Sequence, residues 1–192
     1  MKPKKIHITV TGDPGSGKSA VCRQLALMLG YKYFSTGHIQ RELGKKKKLN
    51  TLELNYLAEK DNAIDRYIDE RVKKINDEPV LYVIDSRLAW HFIKKSFRVF
   101  LKVDPAVAAK RVAKDRKRKS EPTVRDIKER SLNLLERKNA ENKRFEKKYG
   151  VDCCDMNNYD LVIDTSKLKV KEIAGLIRKA YKGYLEKKSL NG

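Results

Sequence analysis

The stretch best suited to chemistry is a glycine-rich loop near the N-terminus, GDPGSGKS at residues 12–19, which fills every fixed position of the pattern G-x-x-x-x-G-K-S/T. Its glycines let backbone N–H groups turn toward a phosphate, and the N-terminus of a following helix adds partial positive charge. In this pattern Lys18 reaches the β- and γ-phosphates of a nucleoside triphosphate, and Ser19 offers a hydroxyl to Mg²⁺. The loop predicts an ATP site formed by Gly12, Asp13, Pro14, Gly15, Ser16, Gly17, Lys18, Ser19 and Ala20.

The loop needs a strand before it and a helix after it, and the sequence predicts both. Residues 6–10 have apolar side chains at alternate positions, and residues 20–29 have a helical pattern that ends at Gly30. Further strands are predicted at 31–34, 80–85, 97–103 and 159–164, separated by helices. This alternation predicts an α/β fold of the P-loop NTPase type, with a five-stranded parallel sheet flanked by helices.

Short helices are predicted between the second and third strands. Ser35 or Thr36 can cap the first of them, and Gly44 with the lysine run at 45–48 is expected to end it. We therefore expect one P-loop domain with its core at 1–34, 78–108 and 158–188. A helical insertion is expected at 35–77, and an arginine-rich segment with its following helix at 109–157.

The third predicted strand ends in Asp85, at the sheet edge where open α/β sheets bind their ligands. P-loop proteins use an acid here to hold or orient Mg²⁺ through water. The sequence does not distinguish this role from contact with the base of an acceptor.

The composition limits the classes of function. The 192 residues are 40% hydrophobic and contain no apolar run long enough to cross a membrane, so no membrane partner is expected. The three cysteines do not have zinc-site spacing, and their odd number argues against a disulfide framework, so a reducing cytoplasm is the predicted location. The net charge of +20 is compatible with a lysine-rich solvated surface or with a surface that attracts nucleotides or nucleic acid.

Arginines outside the loop indicate a second anionic ligand. Phosphoryl transfer between nucleotides needs a second anion pocket and mobile cations that close over the γ-phosphate. Arg41 lies near the start of the insertion, and the stretch 110–119 contains several arginines and lysines. The planar fork of arginine suits both tasks because it grips phosphate at two points.

With these residues the chain resembles the nucleoside monophosphate kinases, and within them the cytidylate kinases, especially the short archaeal-type form. STGHIQR at 35–41 matches the family's S-[TA]-G-x-[IL]-[YF]-R segment, and DSR at 85–87 is similar to its D-G-R or E-G-R turn. RKNAENKR at 137–144 resembles its R-[DE]-x-x-[DE]-x-x-R helix. YGVD at 149–152 and YDLVIDT at 159–165 resemble its closing segments.

The resemblance implies transfer of the γ-phosphate of ATP to CMP or dCMP by a monomer that uses Mg²⁺. It makes the chain a single kinase domain, with the insertion at 35–77 binding the nucleoside monophosphate and the segment at 109–157 forming the lid and its following helix. It implies catalytic roles for Lys18, Arg111, Arg116, Arg118, Arg137 and Arg144, and acceptor binding by Ser35, Thr36, Gly37, Arg41, Asp85, Arg87 and Glu141. Ser19 would bind the metal directly, and Asp85 through water. Arg137 and Arg144 are seven residues apart, which is two helical turns, so they point the same way.

The chain departs from the family pattern at Ser86, Trp90, Lys138 and Asn142, mostly on the acceptor side. Alternative functions are therefore a P-loop kinase for AMP, UMP, a nucleoside or a shikimate-like acceptor, and an RNA-binding P-loop ATPase. The last of these would use the excess positive charge.

Overall fold

Five parallel strands form the centre of the fold, and this confirms the predicted sheet. The structure is a computed structural model that describes residues 5–114 and 126–190. The strands are β1 His7–Gly12, β2 Lys32–Ser35, β3 Tyr82–Asp85, β4 Ser96–Lys102 and β5 Leu161–Asp164. Their order in the sheet is β2-β3-β1-β4-β5, so the strand that leads into the glycine loop is central. Because all pairs are parallel, their carboxyl ends meet at one edge.

The helices of the described residues connect these strands. They are α1 Lys18–Leu29, α2 Thr36–Lys47, α3 Thr51–Lys60, α4 Asn62–Lys73, α5 Ala89–Phe92, α6 Pro105–Lys114, α7 Ile127–Tyr149 and α8 Val170–Leu190, with short 3-10 helices at Lys74–Asp77 and Met156–Asn158. No helix in 5–114 or 126–190 is both long enough and apolar enough to span a membrane.

Helices cover both faces of the sheet. On one face α1 and α8 pack against β1, β3 and β4 in a core that includes Leu25 and Ile177, both fully buried. On the other face α4 and α5 contact β3 through a smaller cluster that includes Val72 and Ile84. Burial on both faces explains why β3 is an apolar run in the sequence up to its final Asp85.

Helix α7 spans the distance between the two sides of the sheet edge. Leu134 near its start packs with residues of α6. Further along, the Glu136 carboxylate accepts a hydrogen bond of 2.5 Å from Tyr56 of α3. The helix therefore contacts both the core and the inserted helices.

The structure differs from the predicted insertion at Gly44. Gly44 and the lysine run were expected to end the helix, and α2 does end in that run, at Lys47, with Lys48 as its cap at a φ of 58°. Gly44 itself lies within the helix. It is buried because the chain returns against it, and a Cβ at this position would lie 2.8 Å from the carbonyl oxygen of Leu49. The glycine serves close backbone packing, so the prediction was right for the lysine run and wrong for Gly44.

This close approach predicts opposite effects for two glycine substitutions. Gly44→Ala should lower the free energy of unfolding by about 1–3 kcal/mol, since the backbone of Leu49 must move. Gly175→Ala in α8 is the control, because a Cβ there meets no atom within 4 Å. It should raise stability by about 0.5–1 kcal/mol through helix propensity. Urea unfolding followed by circular dichroism measures both, and equal stabilities would contradict the packing role of Gly44.

Candidate active site

A cleft of about 300 Å³ opens at the carboxyl edge of the sheet, between the glycine loop, the inserted helices and α7. Most residues that the sequence predicted for the site line it. They are Asp13, Pro14, Gly15, Gly17, Lys18, Ser19, Thr36, Gly37, Arg41, Asp85, Arg87, Arg137, Glu141 and Arg144. Residues far apart in the chain therefore converge on one cleft.

The glycine loop has the backbone form that phosphate binding requires. Gly15 and Gly17 have φ values of 81° and 86°, and Gly17 leads directly into α1. The Lys18 ammonium donates to the carbonyl oxygen of Gly12 at 2.8 Å. Burial, and next the nearby Arg87, lower the pKa of Lys18 to about 8. The loop thus holds a buried amine whose charge an anionic ligand would stabilise.

Asp85 at the end of β3 collects hydroxyl groups around one carboxylate oxygen. Its Oδ2 atom accepts hydrogen bonds from Ser19 Oγ at 2.5 Å, Tyr33 at 3.1 Å and Ser35 Oγ at 3.3 Å. Thr36 Oγ1 donates to the carbonyl oxygen of Asp85 at 3.4 Å. The Ser19 hydroxyl and the Asp85 carboxylate lie side by side, and they are the oxygen donors that Mg²⁺ prefers.

Two arginines lie against the buried carboxylate of Glu141. Arg87 Nη1 is 2.6 Å from Glu141 Oε2, and Arg137 Nε is 3.2 Å from Oε1. Burial acts to raise the pKa of Glu141, but these guanidiniums, with Arg144 and the amide of Asn55, lower it to about 2. Glu141 is therefore ionised at neutral pH and neutralises part of the positive charge of Arg87 and Arg137.

Arg144 has different partners from Arg137. Its Nη1 donates to the carbonyl oxygen of Asn55 at 3.1 Å, and its Nε lies 3.3 Å from Asp65 Oδ2. The Asn55 amide also donates to Glu141 Oε1 at 3.0 Å and accepts from Gln40 at 2.7 Å. A buried polar network thus connects Glu141 and Arg144 of α7 to the inserted helices.

Other predicted site residues lie beside the cleft. Gly12, Ser16, Ala20 and Ser35 are next to residues that line it, and Ser35 also caps α2 by accepting from the N–H of His38. Arg111 donates from Nη2 to the carbonyl oxygens of Thr165 and Ser166, at 2.7 Å and 3.3 Å, in the loop after β5. Arg116 and Arg118 lie outside the described residues.

The far end of the cleft contains residues that the sequence analysis missed. Apolar side chains of Ile68, Phe92 and Phe145 line this end together with the carboxylates of Asp65 and Asp69. Asp65 Oδ2 also lies 3.2 Å from the ammonium of Lys148, and Asp69 Oδ2 accepts from the hydroxyl of Tyr149 at 2.5 Å. In the sequence, these two acids lie one helical turn apart beside the apolar residues Ile64, Ile68 and Val72 of α4, and this pattern could have placed them in the site.

The positions that depart from the family pattern have defined contacts. The Ser86 hydroxyl accepts from the N–H groups of Leu88 and Ala89 at the start of α5. Trp90 is buried and donates to the carbonyl oxygen of Arg87. Asn142 bonds to Asp152 and to the N–H of Cys153, which fixes the segment after α7. The fourth, Lys138, forms an ion pair with Asp13 of the glycine loop.

Known proteins are similar to this chain along nearly its whole length. The cytidylate kinase of Sulfurisphaera tokodaii is 35% identical over 186 residues, covering 96% of this chain and 99% of that protein. The cytidylate kinase of Methanocella arvoryzae is 35% identical over 173 residues, covering 90% and 95% respectively. A gluconokinase from Sinorhizobium meliloti 1021 has the same fold, with a TM-score of 0.64, 14% identity and 97% of each chain covered.

The match to a family model is equally broad. The model of the cytidylate kinase-like family matches residues 7–167, from the first strand to the loop after the last one. The match includes the glycine loop, the inserted helices, and Arg137 and Arg144 of α7. The chain therefore belongs to the cytidylate kinase-like family of P-loop phosphotransferases.

Proposed function

We propose that this enzyme transfers the γ-phosphoryl group of ATP to CMP or dCMP, yielding ADP and the corresponding diphosphate. The main support is the pairing of two anion sites in one cleft. The glycine loop with Lys18 forms one, and the wall of Arg41, Arg87 and Arg137 forms the other. In the transfer, an oxygen of the acceptor phosphate forms a bond to the γ-phosphorus. The bond between the γ-phosphorus and the oxygen that leaves with ADP breaks.

The donor side would work by positioning and charge neutralisation, without a covalent intermediate. The N–H groups of the glycine loop and the Lys18 ammonium would hold the ATP phosphates. Ser19 and, through water, Asp85 would hold Mg²⁺, which on binding neutralises charge on the β- and γ-oxygens. The hydrogen bond of 2.5 Å between these two side chains supports that assignment, because it brings two oxygen ligands together.

On the acceptor side, the arginine wall would bind the phosphate of the monophosphate. Arg41 lines the cleft from α2, and a Cβ at Gly37 would lie 3.3 Å from its Nη1 atom. Arg87 enters from the turn after β3 and is held by Glu141 at 2.6 Å. Guanidiniums from separate segments would then grip one phosphate, with Thr36 and Gly37 nearby.

The far end of the cleft suits a base with an exocyclic amine. Ile68, Phe92 and Phe145 offer apolar surface for a planar ring. Asp65 is paired with cations, whereas within 5–114 and 126–190 the donor to the Asp69 carboxylate is the Tyr149 hydroxyl. Cytosine N4 would donate to Asp69, while uracil presents an acceptor oxygen at the same position.

Two other functions fit the cleft less well. A kinase for an uncharged acceptor such as a nucleoside would leave Arg41 and Arg87 without the anion that their forks suit. An RNA-dependent ATPase would use the net charge of +20, yet it gives no role to the apolar side chains that line the cleft together with the arginines.

A steady-state acceptor screen tests the proposal. With Mg·ATP, we expect ADP formation to depend on CMP or dCMP, with kcat/KM values above those for UMP, AMP and GMP. RNA and shikimate are the controls. If no monophosphate stimulates ADP formation, or if RNA alone does so, the proposed activity is wrong.

Asp69→Asn tests how the base is selected. The amide keeps the size of the side chain and can still accept from Tyr149, but it adds a donor that suits uracil. We expect kcat/KM for CMP to fall by about tenfold or more, and that for UMP to remain equal or rise. Glu70→Gln, an exposed neighbour on α4, is the control. An unchanged CMP to UMP ratio in Asp69→Asn would contradict the role of Asp69.

Lys18 predicts how ATP affinity depends on pH. The free enzyme loses the Lys18 proton near pH 8, whereas bound phosphates favour the charged amine and raise its pKa. Binding therefore takes up a proton above this pH, and the Kd of ATP should rise between about pH 8 and about pH 9.5. Calorimetric titration measures it. Lys18→Arg stays charged and should remove this slope, while a flat wild-type profile would exclude a lowered Lys18 pKa.

A further inference from the structure

An ion pair connects the glycine loop directly to α7. Lys138 Nζ lies 2.8 Å from Asp13 Oδ1, and Asp13 Oδ2 accepts from the N–H of Val103, just after β4, at 3.2 Å. The side chains of Lys138 and Asp13 are 29% and 16% exposed. Asp13 is thus anchored on the core side, and Lys138 attaches α7 to it.

The ion pair lies next to the residues that hold the acceptor arginines in place. Lys138 is the sequence neighbour of Arg137, which contacts Glu141, and Glu141 in turn holds Arg87. A change in the distance between Lys138 and Asp13 would therefore move the acceptor arginines relative to the glycine loop. Misplacement by about 1 Å at such a site can cost about 100-fold in rate.

The local environment keeps Lys138 charged. Burial acts to lower the pKa of Lys138, but the Asp13 carboxylate outweighs it and raises the pKa above its usual value. Pairs of this kind on an open surface contribute little to stability, because water and salt screen them. This pair lies mostly out of solvent and joins segments that bind different substrates, so its expected effect is on geometry.

We propose that Lys138 is a positioning residue. Through Asp13 it holds Arg137 of α7, and with it Glu141 and Arg87, in register with the glycine loop. The proposal rests on the proposed function, because it concerns the alignment of the two anion sites in phosphoryl transfer. Lys138 contacts neither substrate in this scheme. Its removal should therefore reduce the rate of transfer without weakening the binding of ATP or of the acceptor.

Steady-state kinetics of Lys138→Met tests this role. We expect kcat to fall by about tenfold, with KM for Mg·ATP and for CMP within about twofold of wild type. Asp13→Asn should cause a similar loss, since it keeps the acceptor for Val103 but removes the charge. The double variant should lose no more than either single one, because both act through one pair. Lys138→Arg should retain most of the activity.

Lys143→Met is the matched control, because it removes an equal charge from an exposed position of the same helix. A kcat of Lys138→Met equal to that of this control would overturn the inference, as would losses that add in the double variant. A loss confined to KM or to thermal stability would overturn it too. Wild-type enzyme without monophosphate-dependent ADP formation would instead overturn the proposed function, and this inference with it.

Discussion

The cleft depends on one buried carboxylate. Arg87 and Arg137 lie close enough to repel each other strongly in a site shielded from water, and Glu141 offsets that repulsion at 2.6 Å and 3.2 Å. Its low pKa, about 2, reflects the same interaction from the carboxylate side. In the proposed reaction an acceptor phosphate would meet cations that are already assembled, so it would not have to supply the free energy of bringing them together.

Helix α7 carries this arrangement across the molecule. Lys138 contacts the glycine loop, Glu141 contacts the arginine after β3, and Arg144 contacts Asn55 of the insertion. Each of these residues lies three positions after the one before it, so neighbours in the series share one side of the helix. One continuous helix therefore contacts the glycine loop, the turn after β3 and the inserted helices.

The sequence predicted those parts of the site that depend on local pattern. The glycine loop, the sheet and the cleft positions of Arg41 and Arg87 follow from motifs and from the rule that parallel strands present their carboxyl ends together. The pairing of Lys138 with Asp13, and the place of Asp69 in the cleft, depend on packing between segments distant in sequence. Gly44 shows the same limit, because only the returning chain reveals why that helix needs a glycine.

Groups that would bind substrates in the proposed reaction already have polar partners within the cleft. Lys18 donates to the carbonyl of Gly12, Ser19 donates to Asp85, and Arg87 is paired with Glu141. In the proposed reaction a phosphate or metal ion would exchange these partners, so the net gain on binding would be the difference between two sets of polar contacts. Two polyanions repel each other when they are brought together. The carboxylates of the cleft neutralise its cations only in part, so the cleft keeps a surplus of positive charge that would offset this repulsion.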